Sequence, residues 1–290
     1  MKLARIESRI KSKQVIGYLD GDKLWLTQHS SLLQVPENFQ PDRTANSLEW
    51  TALLDGVDRD YKLLAPINPP EVWAFGFTYE RGPQFAASPV IPSGPAYTAA
   101  INANRPEIFF KTTGFRVVGP NDGIGIRGDS TYTAVEPELC IILNKDMKPV
   151  FFTVGNDVSA WDIEARNPLY LAQCKTYEAC CSLGPLAVTI DELPLNAEIN
   201  CWVKRDEKIL FHGSIKQSLM RWSFDELSNF AAEYNPLPEG TVLMIGTAII
   251  RPDANGLLDG DICEITIDGI GTLVNRGRLL ISPVPVSGFD

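Results

Sequence analysis

The segment Thr133–Leu143 reads TAVEPELCIIL, and its composition predicts a β-strand. Apolar and β-branched residues dominate it, and the turn-forming sequence Gly-Asp-Ser lies just before it. Because side chains alternate along a strand, Glu136 and Glu138 are predicted to share one face with Cys140. Two neighbouring carboxylates on an apolar strand repel each other unless they face solvent, a basic group or a cation. Such a pair by itself is more often found on a solvent-exposed edge strand, so a metal site needs further ligands.

A third carboxylate is predicted to lie close to this pair. The sequence PVFFTVGND predicts a second strand that ends at Asp157, and a short NKDMK turn joins the two strands. Strands joined in this way usually form a hairpin, which would place Asp157 beside Glu136 and Glu138. Three carboxylates without an imidazole favour Mg²⁺, with Mn²⁺ or Ca²⁺ as alternatives, over Zn²⁺. The following SAWDIEAR predicts a short helix with Ser159 as its N-cap.

Composition and charge exclude several classes of protein. The chain has 290 residues, a formal net charge of −10 and 44% hydrophobic residues. No apolar run approaches the ~18 residues of a membrane span, and the charged N-terminal segment lacks the features of a signal peptide. We therefore expect a cytoplasmic protein without a membrane partner. The acidic balance and the absence of clustered Lys and Arg argue against nucleic acid as a partner.

The cysteines and histidines narrow the chemistry further. The six cysteines show no C-x-x-C spacing, so neither structural zinc nor a disulfide framework is predicted. The two histidines, His29 and His212, are isolated from other candidate ligands and nucleophiles. This excludes Ser-His-Asp or Cys-His catalysis and His-rich zinc sites. Acid–base chemistry must then fall to carboxylates, lysine, tyrosine or metal-bound water.

Breaks in the sequence pattern predict two domains. Residues 1–34 contain short β-like runs separated by turns, and residues 47–64 have the apolar spacing of a helix. Three prolines in APINPPEV then place a boundary near residue 66, which predicts a small β-rich domain over 1–66 and a catalytic domain over 67–290. The stretch 84–104 is rich in Ala, Pro and Ser and predicts a long loop, with at most a short helix, that acts as a lid.

A series of motifs identifies a known family. The motifs, in this order, are RPEIFFK (105–111), EPELCIIL (136–143), GNDVSAWD (155–162), CKTYEACCSLGP (174–185) and GTAIIRPDANGLLDGDICEITIDGIGTLVN (246–275). This series resembles the fumarylacetoacetate hydrolase superfamily over residues 68–275. Within the superfamily, this chain is most similar to the sugar-acid dehydratase branch, typified by 2-keto-3-deoxy-D-arabinonate dehydratase. The similarity lies in the short segments PPEVW, YE, NPLYL, CC and GTAI. The resemblance implies a mainly β (α+β) fold, with a mixed β-sandwich or β-roll catalytic domain, a small N-terminal domain and assembly into homo-oligomers.

The resemblance also implies roles for individual residues. Magnesium would be held by Glu136, Glu138 and Asp157. Lys175 matches a lysine that lies next to the metal and the substrate. Residues implied to contact the substrate are Phe77, Tyr79, Glu80 and Thr247, the last through the substrate carboxylate.

Two departures from the family pattern favour the dehydratase branch. Hydrolytic members carry a His and a Glu on the lid that activate water, but GFTYERGPQFAASPV (76–90) contains no histidine. Elimination of water does not need an activated water. The other departure is Ala248, at the position where the family's T-G-T-P motif has proline, and the resemblance implies that the dehydratase branch shares this departure.

The predicted reaction is therefore a magnesium-dependent β-elimination on a small 2-keto acid, such as 2-keto-3-deoxy-D-arabinonate giving 2,5-dioxopentanoate. Lys175 is the favoured base for the C3 proton, and Glu107 is the second candidate; a salt bridge from Glu107 to Arg105 or Lys111 is the structural alternative. Two other functions stay open. One is a hydrolase, decarboxylase or isomerase acting on another 2-keto acid, and the other is a non-catalytic metal-binding or ligand-binding protein.

Overall fold

The computed structural model describes residues 1–80, 95–251 and 256–283, except for the side chains of residues 95–97. Strands dominate these residues. The strands are β1 (Lys2–Ser8), β2 (Gln14–Asp20), β3 (Lys23–Leu26), β4 (Ser47–Glu49), β5 (Tyr61–Leu63), β6 (Val72–Gly76), β7 (Glu107–Thr112), β8 (Val117–Val118), β9 (Gly123–Ile126), β10 (Thr133–Ala134), β11 (Pro137–Leu143), β12 (Pro149–Asp157), β13 (Ser159–Ala160), β14 (Cys181–Thr189), β15 (Glu198–Arg205), β16 (Lys208–Lys216), β17 (Val242–Met244), β18 (Ile262–Ile267) and β19 (Gly271–Leu279). The α-helices are α1 (Trp50–Leu54), α2 (Pro95–Asn102), α3 (Trp161–Arg166), α4 (Leu171–Lys175) and α5 (Phe224–Ala232). The mainly β, α+β class predicted from the sequence is confirmed.

Most strands belong to one large mixed sheet. Its order over the described residues is β4-β3-β2-β1-β14-β12-β11-β17-β6-β7, with β5 paired to β1 and β8 paired to β14. The predicted hairpin is present as the antiparallel pair β11 and β12, in which Glu138 lies opposite Gly155. This hairpin is central in the sheet because β17 pairs with the outer edge of β11 and β14 pairs with the outer edge of β12. Every residue of β11 is buried, so it is not a solvent-exposed edge strand.

A second sheet packs against the first. It has the order β16-β15-β18-β19-β9. Side chains from both sheets form one apolar core, with Leu139 and Val154 from the large sheet and Cys201 and Ile265 from the second. The other face of the hairpin packs into a separate apolar cluster that includes Cys140 and Ile142. The result is a β-sandwich in which the hairpin is buried on both faces.

The N-terminal strands extend the large sheet. The strands β1, β2 and β3 occupy the three β-like runs expected between residues 1 and 34. In addition, β1 pairs with β14 through Leu3 and Ala187, so these strands continue the sheet that contains the central hairpin. The division into domains at residue 66 stays a prediction.

The prediction of a helix over residues 47–64 is mostly wrong. Only Trp50–Leu54 is α-helical, and the chain turns at Gly56, which has a φ of 69°. The side chain of Asp58 then accepts hydrogen bonds from the N–H groups of Asp60 and Tyr61. The residues that follow form β5 against β1, because strand pairing in the sheet overrides local helical spacing.

Two further expectations concern helix termini and the lid. Ser159 is not an N-cap: it lies in β13, and its hydroxyl donates to the backbone oxygen of Asp157, whereas α3 begins after Ala160. Residues 84–94 of the predicted lid lie outside the described residues, and α2 forms a short helix in the rest of it. Lid movement stays a prediction. None of the helices in the described ranges combines the length and apolar composition needed to cross a bilayer.

Candidate active site

Three buried carboxylates meet at the end of the central hairpin. Asp157 is the last residue of β12, Glu138 lies near the start of β11, and Glu136 lies just before β11. One carboxylate oxygen from each lies within 4.8 Å of the others. The backbone around Glu136 is fixed on both sides, because its N–H donates to Asn156 Oδ1 (3.0 Å) and its carbonyl accepts from the N–H of Asp157 (2.9 Å). The hairpin therefore brings together the three acids singled out from the sequence.

The backbone of Gly246 holds the second carboxylate. Its N–H donates to Glu138 Oε2 at 2.6 Å, and the residue has a φ of 89°, which favours glycine. A Cβ at this position would lie 2.3 Å from Oγ1 of Thr78. The glycine of the GTAI motif is thus required by both backbone conformation and space. Thr247, the next residue, is half-buried, and its Oγ1 accepts from the N–H of Ile249 (3.2 Å).

Two buried lysines neutralise part of the negative charge of the three acids. Lys175 Nζ lies 2.8 Å from Glu136 Oε1 and 2.9 Å from Asp157 Oδ2. Lys111 Nζ lies 2.5 Å from Asp157 Oδ1 and donates to the carbonyl oxygens of Val158 (2.9 Å) and Lys175 (2.5 Å). All three protons of the Lys111 ammonium group therefore have acceptors. Three carboxylates face two ammonium groups, so the cluster keeps one excess negative charge when every member is ionised.

The protonation of the cluster follows from burial and charge. Burial raises the pKa of Glu138, and the carboxylates of Asp157 and Glu136 raise it further. Burial also raises the pKa of Glu136, against the opposing effect of Lys175. For Asp157, burial would raise the pKa, but the two lysines outweigh it and lower the pKa. Burial would lower the pKa of each lysine, but the neighbouring carboxylates outweigh burial and keep both as ammonium ions in this state.

Strand β7 places a further acid beside this cluster. Glu107 and Lys111 lie on one face of β7 together with Phe109, whose ring centre is 5.2 Å from Lys175 Nζ. The side chain of Glu107 packs over Gly76, where a Cβ would lie 2.1 Å from its Oε2. Burial raises the pKa of Glu107, Lys175 lowers it, and the surrounding acids raise it again. Glu107 pairs with neither Arg105 nor Lys111 in the described part of the chain, and Lys111 pairs with Asp157 instead.

The predicted substrate contacts differ in exposure. Phe77 follows β6 directly, is half-buried and has a φ of 58°. Tyr79 is 3% exposed, and its hydroxyl has no hydrogen-bond partner among the described residues. Burial raises its pKa, with a further contribution from Glu138, so the phenol is neutral at physiological pH. Glu80 is exposed to solvent.

Two residues of this site were not identified from the sequence. Lys111 could have been found by applying strand alternation to RPEIFFK, because that rule puts it on the same face as Glu107. Trp161 donates from its indole Nε1 to Glu136 Oε1 at 2.6 Å. No periodic pattern points to Trp161, because its contact depends on how α3 docks beside Glu136.

Comparisons with known proteins point to one family. The model of the fumarylacetoacetate (FAA) hydrolase C-terminal family matches residues 95–277. A 2-dehydro-3-deoxy-D-arabinonate dehydratase of Saccharolobus solfataricus is 38% identical over 94% of this chain and 95% of its own length. A probable 2-keto-3-deoxyxylonate dehydratase of Haloferax volcanii is 40% identical over 81% of each chain. A solved structure of 2-keto-3-deoxy-D-arabinonate dehydratase complexed with magnesium and 2,5-dioxopentanoate is 35% identical, with a TM-score of 0.86 over 97% of this chain and 100% of that one.

Proposed function

The chain belongs to the fumarylacetoacetate hydrolase family, as the motif series indicated, and we propose that it is a magnesium-dependent dehydratase of a 2-keto-3-deoxy sugar acid. The observation that supports this most directly is the buried cluster of Glu136, Glu138 and Asp157 beside Lys175, with the partly buried acid Glu107 next to it. Such a cluster can hold a cation and can also move protons on a bound 2-keto acid.

The names of the relatives point to one substrate. Arabinonate and xylonate of the same series differ only at C2 and C3. Both differences vanish when C2 becomes a keto group and C3 loses its hydroxyl. The names of both curated relatives therefore describe a five-carbon 2-keto-3-deoxy acid, which is the same compound when both sugars are of the D series. We take this acid as the substrate, and 2,5-dioxopentanoate, which occurs in the name of the related complex, as the product.

The three acids suit magnesium. Hard carboxylate oxygens are the ligands that Mg²⁺ prefers, and none of the three is an imidazole or thiolate. One oxygen of each carboxylate lies within 4.8 Å of the others, so all three could hold a single ion. The excess negative charge of the cluster also favours a cation. We propose Glu136, Glu138 and Asp157 as its ligands, with Mn²⁺ or Ca²⁺ as alternative ions.

The proposed acid–base pair acts on neighbouring carbons of the substrate. A bound Mg²⁺ would stabilise the negative charge that develops on the C2 oxygen when the C3 proton leaves. Lys175 takes the C3 proton. Its pKa falls once its two carboxylate partners are engaged by a cation, because those ion pairs are what keep it charged. Glu107 gives a proton to the departing C4 hydroxyl, which leaves as water, and its raised pKa suits a proton donor. The unsaturated product then isomerises through its enol to the aldehyde.

The proposal also includes the residues that were predicted to contact the substrate. Thr247 directly follows Gly246, whose N–H donates to Glu138, and the charge of Glu138 acts on the buried phenol of Tyr79. We therefore propose Thr247 and Tyr79, with Phe77, as substrate contacts. The exposed side chain of Glu80 would reach the substrate only from the solvent side. The cytoplasmic location and the homo-oligomeric state stay predictions.

One assay tests the function. The purified protein is given 2-keto-3-deoxy-D-arabinonate with and without Mg²⁺, and aldehyde formation is followed. We expect turnover that depends on Mg²⁺ and is lost in the Glu136→Gln, Glu138→Gln double variant. Full activity of that variant would contradict the metal site. Turnover only on other members of a 2-keto acid panel would indicate a hydrolase, decarboxylase or isomerase, and Mg²⁺ binding without turnover on any of them would indicate a binding protein.

A further inference from the structure

The indole of Trp161 is attached to the candidate metal site at a single atom. Its Nε1–H donates to Glu136 Oε1 at 2.6 Å, and Lys175 Nζ donates to the same oxygen at 2.8 Å. A carboxylate oxygen has two lone pairs, so these two donors occupy both of them. The donors differ in charge. The indole N–H is neutral and has no tautomer, so it holds the carboxylate without cancelling its charge.

The indole is held independently of Glu136. The backbone N–H of Trp161 donates to the carbonyl oxygen of Tyr132 at 3.0 Å, and the two rings stack at 5.9 Å with an interplanar angle of 17°. The pairing of β10 with β13, through Thr133 and Ala160, fixes the chain just before the indole. Trp161 is 6% exposed. These contacts define the position of the donor, so the hydrogen bond orients the glutamate and not the tryptophan.

The side chain of Glu136 depends on this bond. Its backbone is fixed by Asn156 and Asp157, but its carboxylate must be oriented through three rotatable bonds. Lys175 can supply that orientation only while it remains paired with the acids. In the proposed reaction Lys175 turns to the substrate, and Trp161 then keeps Oε1 in place, with the hydroxyl of Ser159 as a further hydrogen-bond partner of the carboxylate.

We propose that Trp161 is a positioning residue that orients Glu136 for the metal ion. This inference rests on the proposed function. A group that orients a metal ligand typically affects metal affinity or activity 10- to 100-fold. Because Phe retains an aromatic ring to stack on Tyr132 and leaves every formal charge unchanged, Trp161→Phe removes chiefly the N–H donor.

The chain offers a matched control. Trp73 Nε1 donates to Glu71 Oε2 at 2.9 Å, which is the same kind of bond between an indole and a carboxylate. Trp73 packs against Phe110 on β7, with ring centres 5.5 Å apart, and it is not among the hydrogen-bond or ion-pair partners of the three acids in the described residues. Trp73→Phe thus removes an equivalent hydrogen bond without touching the site.

The test is a calorimetric titration with Mg²⁺ alone, followed by turnover as a function of Mg²⁺ concentration. We expect Trp161→Phe to raise the dissociation constant for Mg²⁺ by roughly 10- to 100-fold, and Trp73→Phe to change it less than about twofold. High Mg²⁺ should restore most of the kcat of Trp161→Phe, because the remaining ligands and acid–base groups are intact.

Equal Mg²⁺ affinity in the wild type and Trp161→Phe would overturn the inference while leaving the metal site standing. If the wild type itself does not bind Mg²⁺, the metal site fails first. If Trp161→Phe does not fold, 3-benzothienylalanine is incorporated at position 161, because it keeps the shape of tryptophan and lacks the N–H. The protein that carries this analogue is then titrated with Mg²⁺, and a dissociation constant equal to that of the wild type overturns the inference.

Discussion

The Nζ atom of Lys111 lies 2.5 Å from Oδ1 of Asp157, and both side chains are sealed from solvent. Each partner is a charge that could not be buried alone. Lys111 also donates to the backbone carbonyl oxygen of Lys175, so it connects strand β7 to the end of α4. The side chain of Lys111 thus links β7, which carries Glu107, to β12 through Asp157 and to α4 through Lys175.

We first predict that Lys111→Met is strongly destabilising. Removing one partner of a buried pair leaves an uncompensated charge and typically costs ~3–5 kcal/mol. Lys62→Met is the control, because the pair of Lys62 with Asp122 (2.7 Å) is partly exposed and worth less than ~1 kcal/mol. Urea unfolding of both variants without metal measures the difference. Similar losses in the two variants would show that the buried pair contributes no more than a surface pair.

Sequence patterns predicted the central part of this site well. The hairpin that joins Glu138 to Asp157 is a local structure, and alternation along its strands determines which side chains meet. Patterns failed where long-range packing decides the outcome. Trp161 reaches the site through the docking of α3, and Tyr61–Leu63 forms a strand because β1 is there to pair with it. Alternation along β7 gives the face of Lys111, but its contact with Asp157 depends on how β7 docks.

The second prediction concerns Tyr79, whose buried hydroxyl lacks a protein partner among the described residues. An unsatisfied buried hydroxyl costs about 1–3 kcal/mol, so Tyr79→Phe should leave the free energy of unfolding unchanged or raise it. If the substrate supplies the partner, KM should rise roughly tenfold, which corresponds to one lost hydrogen bond to a charged group.

Tyr177→Phe is the control for Tyr79→Phe. The hydroxyl of Tyr177 is buried and donates to the carbonyl oxygen of Val158 at 3.1 Å. Its removal should therefore destabilise the fold by about 1 kcal/mol. Thermal unfolding and steady-state kinetics distinguish the two variants. An unchanged KM in Tyr79→Phe would argue that its hydroxyl does not contact substrate.

The third prediction is a pH dependence of stability at Asp261, which directly precedes β18 of the second sheet. Asp261 accepts two hydrogen bonds from Arg205, at 2.7 and 2.8 Å, and one from the N–H of Leu258 at 2.9 Å. Burial would raise the pKa of Asp261, but these bonds outweigh it and lower the pKa. A carboxyl group whose pKa is lower in the folded state stabilises the fold above its unfolded pKa of about 3.9, and this stabilisation is lost as the pH falls through the folded value.

Asp261→Asn should therefore cost about 2 kcal/mol at pH 7 and progressively less below about pH 4. The measurement is the difference in unfolding free energy between wild type and variant at pH 7 and near pH 3. A difference that stays constant over this range would mean that the ionised carboxylate is not what stabilises the fold.

The last prediction separates the roles of Lys175 and Glu107. A 2-keto acid without a C4 hydroxyl, such as pyruvate, can lose its C3 proton but cannot eliminate water. In deuterated buffer with Mg²⁺, the exchange of its C3 protons therefore reports the base alone. Lys175→Met should abolish this exchange, because the variant has no amine to take the proton.

Glu107→Gln should keep the exchange and lose dehydration of the full substrate, because an amide cannot protonate the leaving hydroxyl. The contrast depends on where each pKa shift originates. Lys175 is charged because it is paired with two acids, and it becomes a base when those acids are engaged elsewhere. Glu107 owes its raised pKa first to burial, which persists when the acids bind a cation, so it remains a proton donor. Exchange that survives in Lys175→Met and disappears in Glu107→Gln would reverse this assignment and make the glutamate the base.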